Sequence, residues 1–104
     1  MYIIIWEYHV KAEHSEEFEK IYRANGTWAG LFQKQNGYRG TELLRDRQNK
    51  ERYLTVDRWV SLRDYESFLS QWNKEYEALD VHCEGLTELE TMLGTWETID
   101  YETR

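Results

Sequence analysis

The apolar positions along the chain change their period several times, and each change marks an element. Residues Tyr2–Val10 (YIIIWEYHV) are β-branched and aromatic, types that suit a pleated strand. Alternation puts Tyr2, Ile4, Trp6, Tyr8 and Val10 on one face and Ile3, Ile5, Glu7 and His9 on the other. Both faces begin apolar, so this strand is expected to be covered on both sides for part of its length. Lys11–His14 is a polar connection. Ser15 reads as a helix N-cap, with Glu16 and Glu17 in the first turn, where negative charge favours a helix. Phe18, Ile21 and Tyr22, then Trp28, Ala29 and Phe32, recur at helical spacing, and Asn25-Gly26 interrupts them. The spacing predicts a helix over Ser15–Ala24 and a short second one over Thr27–Gln35.

Asn36-Gly37 is a stop signal. Tyr38–Asp46 (YRGTELLRD) reads as a strand, Arg47–Glu51 as a charged loop of hairpin length, and Arg52–Val60 (RYLTVDRWV) as a strong strand. Ser61 and Asp64 have the spacing of a capping box, and Tyr65, Phe68, Leu69, Trp72 and Tyr76 follow on one helix face. Glu77–Gly85 fits either a helix extension or a lid. A last strand runs from Leu86 or Leu89 to Tyr101, with Gly94 a bulge or bend.

The order is β-α-β-β-α-β, and its halves align at an offset of 50 residues. Val10 matches Val60, Phe18 matches Phe68, Tyr22 matches Trp72, and Ile4 and Trp6 match Leu54 and Val56. Two βαβ halves of a ferredoxin-like sheet leave such a repeat. The expected class is α+β: a four-stranded antiparallel sheet with both helices on one face, as one domain over residues 1–104. The other face would then expose apolar side chains. At ~25 cal/mol per Å², leaving several hundred Å² wet forfeits roughly 10 kcal/mol. A second copy is expected to cover it, as a homodimer.

Composition narrows the partners. The chain has 13 Lys+Arg against 20 Asp+Glu, a net charge of −7, which disfavours nucleic acid and anionic membrane surfaces. The longest apolar run, Tyr2–Trp6, is far short of a membrane span, and no basic segment of a signal peptide follows Met1. Cys83 is alone, so neither an internal disulfide nor a Cys-based zinc site is available. A soluble, reduced, cytoplasmic domain is expected. Its 5 Trp and 8 Tyr imply a very aromatic interior beneath a polar surface.

The stretches EFEKIY (Glu17–Tyr22), GTWAGLFQ (Gly26–Gln33), GYRGTELLRD (Gly37–Asp46) and YLTVDRWVSLRDYESF (Tyr53–Phe68) carry a family resemblance. The chain resembles the antibiotic biosynthesis monooxygenase family of the dimeric α+β barrel superfamily, from about Ile4 to Leu69. The resemblance implies a ferredoxin-like protomer, a dimer closed by its two sheets, and a cavity between sheet and helices. It implies one of several activities. Some members oxidise phenolic or anthrone-type compounds with O₂ and no metal, flavin or haem, some bind and degrade haem, and many have no established activity. The haem-degrading branch pairs a Trp with a ligating His in the region of Trp72 and His82, and uses an Asn on the first strand. Here that strand has no Asn, and Trp6 or Glu7 stands near the place.

The candidate site is an aromatic pocket built from Trp6, Trp28, Phe32, Tyr53, Trp59, Tyr65, Phe68 and Trp72, all on elements that could face the sheet–helix space. The competing reading is that these rings fill the core. Asp57 and Arg58 point to opposite faces of a strand, so one faces the cavity and the other the dimer side. Asp57 could anchor a ligand hydroxyl or a Tyr, Arg58 could orient substrate or pair across the interface, and both could serve in structural pairs. His9 and His82 are candidate general bases, since only His titrates near neutrality unaided. His9 and His14 lack metal-ligand spacing, so no metal is expected. Cys83 beside His82 is no nucleophile–base pair, and no phosphate loop is present. Glu84, Glu88 and Glu90 read as a solvated face. Three readings remain: a cofactor-independent monooxygenase acting on a small aromatic or polyketide-like compound, a binding module for a small ligand or haem, and a filled core with a structural role.

Overall fold

Residues 1–99 are described by a computed structural model. Four strands form: β1 (Tyr2–Val10), β2 (Tyr38–Arg45), β3 (Arg52–Trp59) and β4 (Thr87–Glu97). Four helices accompany them: α1 (Ser15–Tyr22), α2 (Thr27–Phe32), α3 (Leu62–Gln71) and α4 (Asn73–Cys83). The sheet order is β2-β3-β1-β4, with every neighbouring pair antiparallel. This is the expected α+β, ferredoxin-like arrangement.

Several boundaries move for local reasons. A 3₁₀ turn at Ala12–His14 leads directly into α1, so Ser15 is its first residue and no side chain caps it. α1 stops at Tyr22 because the chain doubles back tightly: a Cβ at Gly26 would lie 2.5 Å from the Ile21 carbonyl oxygen. Gly37 takes φ 97°, the left-handed conformation that glycine adopts without penalty, and the Asp64 side chain packs against its Cα. Ser61 caps α3 as expected. Its Oγ accepts from the Asp64 backbone N–H at 3.2 Å, and its hydroxyl donates to Asp64 Oδ2 at 3.0 Å. The undecided stretch Glu77–Gly85 is helical as far as Cys83, in α4, and then passes into a 3₁₀ turn at Glu84–Leu86. The expected end of the last strand at Tyr101 lies outside the described residues.

Strand alternation divides the sheet into two faces. Ile4, Tyr8, Val10, Tyr53 and Trp59 point toward the helices and join one core with Phe18, Ile21, Tyr22, Phe32 and Phe68. Phe18 stacks on Tyr22 at 4.1 Å, and Trp59 sits within 5.6 Å of four rings: Phe32, Tyr38, Tyr65 and Phe68. The opposite face carries Ile3, Ile5, Leu54 and Val56, with Val56 opposite Ile5 and Trp96 opposite Ile3. Half of Trp96 is exposed. Among the described residues no helix is long and apolar enough to cross a membrane.

Candidate functional site

A cleft opens between the helix-facing side of the sheet and the helices. Its sheet wall is Trp6 and Tyr8 of β1, Thr41 of β2, Thr55 and Asp57 of β3, and Glu90 of β4. The opposite wall is Tyr22, Trp28 and Phe32 from α1 and α2, with Tyr65, Tyr76 and Asp80 from α3 and α4. The cleft measures about 490 Å³ with its open mouth, but it is narrow. The part in which the centre of a water can sit is about 30 Å³. By that measure one water needs ~10–15 Å³, so a ligand ring enters only as rings at the mouth swing aside.

Asp57 is the centre of the polar part. In the register it lies between Ile4 and Thr41, on the same face as Thr55 and Trp59, and it is only 7% exposed. The Thr41 hydroxyl donates to Asp57 Oδ1 at 2.6 Å. Because that proton is committed, the Tyr38 hydroxyl is the donor in its own 2.6 Å bond to Thr41 Oγ1. Oδ2 has no hydrogen-bond partner among the described residues and is not one of the fully buried polar atoms. No cation neutralises the carboxylate there either. Burial pushes the Asp57 carboxyl up to about 6, against the opposing pull of the Thr41 bond. A carboxylate with that affinity for a proton is a competent general base near neutral pH.

The surrounding phenols remain proton donors. Burial holds Tyr8 and Tyr22 well above the usual tyrosine range. It also pushes Tyr65 up to about 12, and raises Tyr76. The Tyr8 and Thr55 hydroxyls are 3.2 Å apart. Glu90 lies exposed at the rim, with its carboxyl raised by partial burial and then by Asp80.

The sequence candidates divide clearly by position. Trp6, Trp28, Phe32, Asp57 and Tyr65 line the cleft together. Trp59 and Phe68 are fully buried in the core behind it. Tyr53 is also in the core, with its hydroxyl donating to Glu19. Trp72 lies at the α3–α4 break, with Lys34 Nζ 5.0 Å from its ring. His9 is on the other face of the sheet, 3.3 Å from Glu7. Arg58 is also there, paired with Glu42 at 2.8 Å. His82 is exposed on α4, 3.8 Å from Glu17. It does not line the cleft, and the narrow gap does not fit a haem beside it. Among the described residues no group of three or more His, Cys, Asp or Glu could hold a metal.

Glu90 corrects the reading of an entirely solvated acidic face, since it turns toward the cleft while Glu84 and Glu88 do not line it. Tyr8, Thr41, Thr55, Tyr76 and Asp80 are further cleft residues that sequence reasoning passes over. For Tyr8 a signal exists, because it shares a strand face with Trp6.

The family profile of the antibiotic biosynthesis monooxygenases matches residues 1–78. The chain belongs to this family. Solved structures of similar shape span nearly the whole antibiotic biosynthesis monooxygenase fold. A protein of Deinococcus radiodurans assigned to the family superposes with a TM-score of 0.74 at 16% identity, covering 95% of this chain and 93% of that one. Another from Nitrosomonas europaea gives 0.73 at 15% identity, covering 95% and 99%. SnoaB of Streptomyces nogalater, a cofactor-independent oxygenase, gives 0.65 at 19% identity, covering 94% and 92%. At such identities the likeness is one of fold. No curated protein matches the chain significantly.

Proposed function

We propose that the cleft binds a small phenolic or enolic aromatic compound and oxidises it with O₂ without a cofactor, Asp57 acting as the base. The observation that carries this reading is a buried carboxylate, free of any cation, within an aromatic-lined cleft. Asp57 takes a proton from an activated CH₂ of the substrate. The resulting carbanion reduces O₂ and combines with it as a peroxide anion. The proton returns from Asp57 to give a hydroperoxide, which loses water and leaves a ketone. One CH₂ and one O₂ thus become one C=O and one H₂O. Tyr65 and Tyr76 stay protonated and donate to the substrate oxygen as negative charge develops there. Membership of a family that includes monooxygenases, and the fold shared with SnoaB, support the reaction type. We place the reaction in the cytoplasm, where the Cys83 thiol stays reduced. Oxygen-electrode assays over a panel of anthrone-type compounds are expected to show one O₂ consumed per ketone formed. Uptake no faster than with heat-inactivated protein across the panel rejects the reading.

The reading includes a homodimer joined through the open sheet face. Its support is the apolar set Ile3, Ile5, Leu54 and Val56, flanked by exposed Leu44, Leu89 and Trp96. Sedimentation is expected to give twice the 12.7 kDa chain mass. Ile5→Glu places a charge in the middle of that face and is expected to give the monomer mass. A wild-type protein that sediments as a monomer at micromolar concentration removes the dimer.

A further inference from the structure

The charge of the cleft is one-sided. Three carboxylates line it, Asp57, Asp80 and Glu90, and no Lys, Arg or His lines it among the described residues. Several carboxylates outside the cleft, on or beside β1–β3, are compensated. Arg52 bridges Glu7 and Asp46, Arg58 holds Glu42, and Arg45 lies 3.5 Å from Glu19. None of the three cleft carboxylates has such a partner among the described residues. Asp57 is moreover nine-tenths buried, with Oδ2 unbonded.

Asp80 and Glu90 are close enough for each charge to be felt by its neighbours: Asp80 raises the Glu90 carboxyl, and both raise the Tyr76 phenol. Trp6 and Tyr76 line the same cleft from its two walls. Aromatic faces attract a cation through their quadrupole, and uncompensated carboxylates attract it by charge. The same field repels an anionic compound. It also opposes a phenol or enol that must become an anion beside Asp57, unless the substrate brings a positive charge of its own.

We infer that the cleft selects an aromatic molecule bearing an ammonium group, with its reacting end toward Asp57 and its cation at the rim between Asp80 and Glu90. This inference rests on the cleft being the substrate site, as proposed above, and adds the charge class of the ligand.

Three probes of one shape but different charge test it: tyramine, 4-ethylphenol and 3-(4-hydroxyphenyl)propanoate. Affinity is measured for each by NMR titration at low salt, and oxygen uptake is followed separately. Tyramine is expected to bind about tenfold tighter than 4-ethylphenol, with the propanoate weakest. In the Asp80→Asn/Glu90→Gln double variant that preference is expected to shrink to about twofold or less, and both substitutions fall at a partly open rim where folding does not depend on them. Equal binding of the three probes, a preference that survives in the double variant, or no binding of any probe overturns the inference. A clear preference for tyramine with no oxygen consumed by any substrate of the panel leaves the charge selection standing and removes only the oxidation. Turnover of neutral anthrones without any preference for the ammonium probe does the reverse.

Discussion

The Asp57→Asn variant is expected to lose turnover while gaining stability at neutral pH. The loss follows from its role as base, since a positioned general base contributes about 10²–10⁴-fold. The gain follows from burial. Asp57 ionises at about 6 in the folded protein, against an ordinary 3.8. The fold therefore penalises the ionised form. The group's contribution to stability is fully favourable below pH ~4 and declines as pH rises through about 6. Above that it stays low. Two pH units correspond to about 3 kcal/mol at pH 7. Asn is neutral at every pH, nearly isosteric, and can still accept the Thr41 hydroxyl through Oδ1. Urea unfolding at pH 7.5 is expected to show the variant more stable by about 1–3 kcal/mol, with the difference gone at pH 4. The wild-type rate is expected to rise with pH through about 6 as Asp57 loses its proton. A variant that keeps the wild-type rate removes Asp57 as the base. One that matches wild-type stability at both pH values removes the burial cost.

That trade could not be read from the sequence, because alternation alone does not bring Asp57 and Thr41 together. Alternation does place Asp57 and Arg58 on opposite faces of β3, and the structure keeps them there. What it cannot supply is the register of β2. Tyr38 pairs with Trp59 but Gly40 pairs with Arg58, so Arg39 is an extra residue in the strand. A one-residue shift reverses every later side chain. Without that bulge Thr41 would face away from the helices and Asp57 would lack its donor. β4 repeats the device. Gly94 pairs with Ile5 and Met92 with Trp6, so Leu93 is extra and Glu90 turns from the open face toward the cleft. The bulge was expected at Gly94 and lies beside it, but its effect on Glu90 depends on pairing with a strand some 80 residues earlier.

The elements themselves were more legible than the site because they depend on local chemistry. The β-branched run of β1, the Asn36-Gly37 stop and the Ser61 cap each act within a few residues. The alternation in β1 left open which of its two faces met the helices, since Ile3 and Ile5 are as apolar as Ile4. The core decides for Ile4, Tyr8 and Val10. That choice carries His9 to the far side, 3.3 Å from Glu7, and so separates a natural candidate base from the cleft. In the sequence His82 falls in a stretch that fits either a helix extension or a lid. Its position late in α4 turns it toward Glu17 and solvent.

Trp59→Ala is expected to have the largest effect on stability, and it tests how the core supports the cleft. Trp59 is wholly buried, and its ring lies against Phe32, Tyr38, Tyr65 and Phe68. Two of those rings, Phe32 and Tyr65, are cleft walls. Truncation leaves a ring-sized void between them and β3. The cost of such a change is about 3–5 kcal/mol, a large part of the ~5–15 kcal/mol that holds a domain together. Trp59→Phe is expected to cost less than the ring volume alone suggests. The Trp59 indole N–H is buried without a partner, and its removal lifts a desolvation penalty of ~1–3 kcal/mol. The Ala void is apolar on its core side, so indole added in solution is expected to fill it and raise the melting temperature of the variant more than that of the wild type, by binding only the folded state. Loss of those wall supports also lets Phe32 and Tyr65 move, which widens the cleft. Larger aromatic compounds are therefore expected to bind Trp59→Ala better, relative to single-ring probes, than they bind the wild type. A variant as stable as wild type in urea, with no response to indole, shows that the helices collapse onto β3 and that Trp59 does not set the width of the cleft.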